Sequence, residues 1–132
     1  IEARLYAEDP AKGFLPSTGR LERFRILPRG PVPDTGPGFP SSAPDAEGSH
    51  APHPVQGDVR VDTGAYEGGE VSPFYDPMIA KVIARGPDRG AALHTLSEAL
   101  AETVVWPVKT NAAFLVAALA HPDFVAGAID TG

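Results

Sequence analysis

Residues Pro28 to Gly57, PRGPVPDTGPGFPSSAPDAEGSHAPHPVQG, hold eight prolines and five glycines among small polar side chains, with almost no large apolar ones. Ordering each such residue costs about 1 to 2 kcal/mol of backbone entropy, and too little apolar surface is present to offset it. The stretch reads as a mobile surface insertion between two strands, 28–57, so the fold must be built from the sequence on either side.

Before the insertion, Ile1, Ala3, Leu5 and Ala7 alternate with Glu2, Arg4 and Tyr6, the period-two pattern of a strand with one buried face. Glu8-Asp9-Pro10 ends it. An apolar loop, Gly13 to Gly19, leads to a second strand in which Glu22, Phe24 and Ile26 share a face. After the insertion, Val59, Val61 and Thr63 oppose Arg60 and Asp62, a turn spans Gly64 to Ser72, and MIAKVIAR forms a strand that Gly86-Pro87 breaks. Asp88 is the N-cap of a helix whose stripe, Ala92, Leu93, Leu96, Ala99 and Leu100, keeps i, i+3, i+4, i+7 spacing. TVVW is a β-branched run closed by Pro107. Thr110 or Asn111 then caps a second apolar helix ending near Ala120, with His121-Pro122 as its stop.

Strands precede helices, which predicts an α+β domain over 1–132: antiparallel β-hairpins followed by two packed C-terminal helices. A net charge of −6 and the lack of any Lys/Arg run argue against nucleic acid. No apolar run approaches the roughly 20 residues that cross a bilayer, so no membrane partner is expected. Zero cysteines close off disulfides and thiolate chemistry and fit a cytoplasmic protein. The chain opens without Met and already in alternation, which reads as a segment of a longer protein.

Arg60 and Asp62 stand two positions apart on one strand face, so their side chains project together. A guanidinium presents a rigid fork that matches an oxyanion, as binding bicarbonate or stabilising an enolate requires. The competing reading is a surface ion pair worth about 0 to 1 kcal/mol. Tyr75-Asp76-Pro77-Met78 is a strong turn former, with Phe74 and Met78 expected to fold into the core. His50 and His53 have ligand-like spacing, but flanking prolines and the want of a third ligand argue against a metal site. His94 and His121 read as solvated or capping residues. With no phosphate-binding glycine loop, nucleophile elbow or suitably spaced acid pair, a self-sufficient enzyme is not expected.

The motifs EARLYAEDP, FLPSTG, VRVD, YDPMIAK and KTN, in this order, resemble the C-terminal domain of biotin carboxylase, as found in the biotin-containing α subunit of acyl-CoA carboxylases. The resemblance implies ATP-dependent carbon–nitrogen ligase chemistry: MgATP phosphorylates bicarbonate to carboxyphosphate, and the carboxyl group passes to protein-linked biotin. It implies that Arg60 is the active-site arginine, engaging bicarbonate and stabilising the biotin enolate, with Arg85 and Arg89 as candidate contacts of a homodimer; Asp62 beside Arg60, and Tyr75 and Asp76 at the corner, are read as supporting the Arg60 strand. The implied partners are the ATP-grasp and N-terminal domains of the parent chain, a biotin carboxyl carrier domain and a carboxyltransferase subunit, which selects the acyl-CoA. MgATP would be held by the ATP-grasp domain and biotin by the carrier, so the segment alone is expected to bind neither and to be inactive. Two departures stand out: the insertion is long for the family, and Trp106 stands where a small or acidic residue is usual, which puts helix–sheet packing or a partner surface in question. The alternatives are a biotin carrier, for which Lys81 near Met78 would have to sit at a hairpin tip, and a plain interaction module, in which Arg60 is dispensable.

Overall fold

The computed structural model describes residues 1–26, 55–56 and 58–130. Among the described residues ten short strands, β1 (Glu2–Tyr6), β2 (Glu8–Asp9), β3 (Leu15–Pro16), β4 (Gly19–Arg20), β5 (Arg23–Arg25), β6 (Val55–Gln56), β7 (Val59–Asp62), β8 (Glu70–Val71), β9 (Met78–Ala84) and β10 (Val104–Trp106), accompany three α-helices, α1 (Arg89–Ala101), α2 (Ala112–Leu119) and α3 (Pro122–Ala126), and a 3-10 turn at Pro10–Lys12. The expected α+β order holds. The expected mobility of the insertion falls, for 28–54 and 57, outside the described residues, as do His50 and His53. Within that stretch Val55–Gln56 is a strand, antiparallel to β7.

The main sheet runs β1-β9-β7-β6, so its central strand comes late in the chain and pairs with the first strand. Glu2 faces Ile83 and Arg4 faces Lys81 across β1 and β9. Across β7 and β9, Arg60 faces Ile83 and Asp62 faces Lys81. The alternation read from the sequence sorts the two faces. Ala3, Leu5, Val59, Val61, Ala80, Val82 and Ala84 are buried in one cluster with Leu93, Leu96, Ala99 and Leu100 of α1 and Leu119 of α2. Glu2, Arg4, Arg60, Asp62, Lys81 and Ile83 occupy the outer face. The strand expected around Glu22, Phe24 and Ile26 is β5, and it pairs with β10 in a separate two-stranded sheet.

Local chemistry accounts for the helix boundaries. Asp88 accepts a hydrogen bond from the Ala91 amide at 2.8 Å, and the five stripe residues are the ones α1 buries. Gly86 is required where β9 turns into α1, because a Cβ there would lie 2.7 Å from the Ala92 backbone nitrogen. His121-Pro122 does stop α2, but the chain restarts at once as α3. His121 Nδ1 accepts from the Asp123 amide, and Gly127, in left-handed geometry at φ 71°, closes the helix. This third helix is an addition to the two expected.

Of the two capping candidates for α2, Thr110 and Asn111, the second does not cap with its side chain; the nearest cap is Thr110, whose Oγ1 accepts weakly from the Ala112 amide at 3.4 Å. The Asn111 amide turns to the edge of β1, accepting from Tyr6 N at 2.9 Å and donating to Arg4 O at 3.3 Å. Its backbone N–H adds a bond to Tyr6 O at 3.2 Å. A buried side chain, 7% exposed, thus pairs with an open strand edge as a neighbouring strand would. Asn111→Ala leaves those backbone groups without their partner and is expected to cost about 2 kcal/mol in urea denaturation. Asn111→Asp, which sets an acceptor against Arg4 O, is expected to cost at least as much.

Candidate functional site

Arg60 lies on the outer face of β7 because its neighbours Val59 and Val61 take the core face, 7% and 2% exposed. Its Nε donates to Asp62 Oδ1 and its Nη2 to Asp62 Oδ2, both at 2.8 Å. The hydrogen bonds to Asp62, followed by that carboxylate's charge, raise the Arg60 guanidinium above its ordinary pKa and keep it cationic. The two side chains are 55% and 24% exposed. Of the guanidinium's five N–H donors, this side-on fork uses one edge. The end-on edge, Nη1 with the second Nη2 hydrogen, remains without a partner among the described residues. Asp62 therefore fixes the plane of Arg60 while leaving a second fork able to receive an oxyanion bidentately.

The end of β7 is tied down by Thr63, whose hydroxyl donates to Ile79 O and accepts from the Ala65 amide at 3.0 Å. Beyond it, a groove of about 310 Å³ is lined by Asp62, Thr63, Gly64, Met78, Ile79 and Lys81. Asp76 closes the Tyr75-Asp76-Pro77-Met78 corner as an Asx-turn, accepting from the Met78 amide at 3.0 Å. Pro77 O then accepts from the Ala7 amide at 2.8 Å, continuing the β1–β9 pairing beyond the strand ends. The corner does not bury its side chains as expected. Phe74 is 88% exposed, Tyr75 81% and Met78 36%, because the Asx-turn holds the backbone and turns the aromatics outward.

The other sequence candidates fall elsewhere. Arg89, the first residue of α1, donates to Phe124 O and to Val125 O at 3.3 Å and stacks its guanidinium 5.1 Å from the Phe124 ring centroid. It joins α1 to α3. Arg85 is exposed, and its backbone amide pairs with Asp58 O at 2.9 Å. His94 is exposed beside Glu98, 3.4 Å away. Trp106 is half exposed on β10, paired with Arg23 away from the helix–sheet interface. Among the described residues no three His, Asp or Glu side chains converge as metal ligands, and none of the helices is long and apolar enough to cross a membrane. Lys81, a near neighbour of the Arg60 pair, was legible in the sequence of β9 as the one polar residue of an otherwise apolar strand.

The profile of the family described as "Biotin carboxylase C-terminal domain" matches residues 47–132. The chain belongs to this family. It is 44% identical to the propionyl-CoA carboxylase alpha chain of Ruegeria pomeroyi over 99% of its own length, and 38% identical to human mitochondrial pyruvate carboxylase over 99%. It spans 18% and 9% of the lengths of those proteins. Among solved structures it superposes on the biotin carboxylase domain of a thermophilic 2-oxoglutarate carboxylase bound to bicarbonate, with a TM-score of 0.71 and 29% identity over 96% of this chain and 22% of that one. The family's fold is thus the fold observed here. Removing the Asx acceptor by Asp76→Ala is expected to lower the domain's stability by about 1 kcal/mol, read as a reduced urea midpoint with an unchanged slope.

Proposed function

We propose that this domain supplies Arg60 to the ATP- and bicarbonate-dependent carboxylation of protein-linked biotin in an acyl-CoA carboxylase. The observation that carries the reading is the geometry of Arg60: one edge locked on Asp62, the other open, on a sheet face that the helices leave uncovered. That open fork suits an anion with two oxygens, and it suits equally a position where negative charge develops on an oxygen during carboxyl transfer. The related biotin carboxylase domain of a thermophilic 2-oxoglutarate carboxylase is bound to bicarbonate, which supports the same chemistry here.

The role of this chain in the mechanism is to bind and orient. Asp62 holds the guanidinium plane, Thr63 and the Asp76 turn hold β7 against β9, and Tyr75 stands at the exposed end of that corner. MgATP supplies the activating phosphoryl chemistry when bound by the ATP-grasp domain, and biotin arrives on its carrier domain. The carboxyltransferase subunit and the N-terminal domain complete the assembly, in a cytoplasmic setting. Arg85, exposed beside the uncovered face, and Arg89, already spent within the chain on α3, are proposed at a homodimer contact. The segment alone is expected to be inactive. The carrier reading is disfavoured because Lys81 lies inside a strand bonded on both edges rather than at a hairpin tip.

In the full biotin carboxylase chain, Arg60→Ala is expected to lower biotin-dependent ATP cleavage by about 10²- to 10³-fold while ATP binding is retained. Arg60→Lys, a point charge without the second fork, is expected to recover little of it. Unchanged turnover in Arg60→Ala would return the domain to the interaction-module reading.

A further inference from the structure

The outer sheet face carries its charges in a definite register. Arg4 donates to Glu2 at 3.2 Å within β1, and Arg60 is bonded to Asp62 within β7. Each of these pairs sums to zero charge. Between them, on the central strand, stands Lys81, facing Arg4 on one side and Asp62 on the other. Lys81 is half-buried, yet none of the hydrogen bonds or ion pairs among the described residues involves its ammonium. A lysine held partly out of water with its ammonium unbonded gives up hydration, and the facing Asp62 carboxylate, already engaged by Arg60, offsets only part of that loss.

The register also sets the distance. Because Arg60 faces Ile83 and Asp62 faces Lys81, Arg60 and Lys81 are diagonal neighbours, roughly 7 to 8 Å apart at the backbone. Two long cationic side chains at that separation reach the two sides of one small oxyanion. Lys81 also lines the groove that opens beside Asp62. An ammonium adds three rotatable donors and a compact charge to the planar fork of Arg60, so the two contacts are complementary.

We infer that Lys81 is a second anion-binding residue of this domain, which engages bicarbonate together with the open edge of Arg60 and gives the face its net positive charge. This rests on the function proposed above for Arg60. Asp62 orients Arg60 at the cost of cancelling its charge, and Lys81 restores the field that draws the anion to the fork.

The test is bicarbonate dependence in the full biotin carboxylase chain, with Lys81→Met, Lys81→Arg and Arg60→Ala measured in parallel. Lys81→Met is expected to raise KM for bicarbonate about tenfold, with KM for ATP within about twofold of wild type, as loss of one charge-assisted contact predicts. Lys81→Arg is expected to restore bicarbonate KM to within about threefold, because the charge is retained. Unchanged bicarbonate KM in Lys81→Met, with Arg60→Ala impaired, overturns the role of Lys81 and leaves the Arg60 reading standing. Unimpaired turnover in Arg60→Ala overturns both. If the Met variant does not fold, acylation of the Lys81 amine in the wild-type chain decides the matter: saturable protection by bicarbonate is expected, and acylation unaffected by bicarbonate rules the contact out.

Discussion

Everything in this domain hangs on β9, which is hydrogen-bonded along both edges. One partner, β1, precedes it by more than seventy positions, and the other, β7, follows the proline-rich insertion. Pairings of such sequence separation are costly to close and are stable only when burial rewards them. Val82, wholly buried, and Ala80 and Ala84 beside it supply that reward against α1, where Leu96 and Leu100 are 0% and 1% exposed. With the inner face committed to the helices, the outer face is left to charged side chains held at fixed spacing.

Asn111 extends the same logic to the edge of the sheet. An open strand edge next to a helix layer carries backbone groups that neither water nor a further strand satisfies. The side-chain amide of Asn111 matches one donor and one acceptor of β1, and the result couples the start of α2 to the strand that bonds β9. The asparagine of the KTN motif is thus explained by strand-edge satisfaction.

The Arg60–Asp62 pair contributes little to stability, since exposed pairs contribute about 0 to 1 kcal/mol. Its worth lies in orientation. A single carboxylate taking both hydrogens of one guanidinium edge fixes the plane of the whole group, and a β-strand is a stiffer mount than a loop. Lys81 enters only when the cross-strand register is known.

Where the signal was local, the sequence was legible. The α1 stripe and its Asp88 cap were readable because helix periodicity and capping act within one or two turns, and the outward pairing of Arg60 with Asp62 followed from strand alternation alone. Phe74 and Met78 were misread because hydrophobicity suggested burial, whereas the Asx-turn at Asp76 turns them outward. The sequence left Thr110 and Asn111 open as caps of α2, because a capping residue and an edge-satisfying residue can be the same amino acid in the same place, and only the position of β1 distinguishes them. The short α3 was missed because the proline that stops one helix is equally suited to begin another. By itself, then, the sequence determined the element types, the core face and the pairing of Arg60 with Asp62, all of them consequences of neighbours a few residues apart. Which strands meet, and hence which charges share the outer face with Arg60, was decided only by the tertiary structure, because β9 brings together residues whose proximity no local rule encodes.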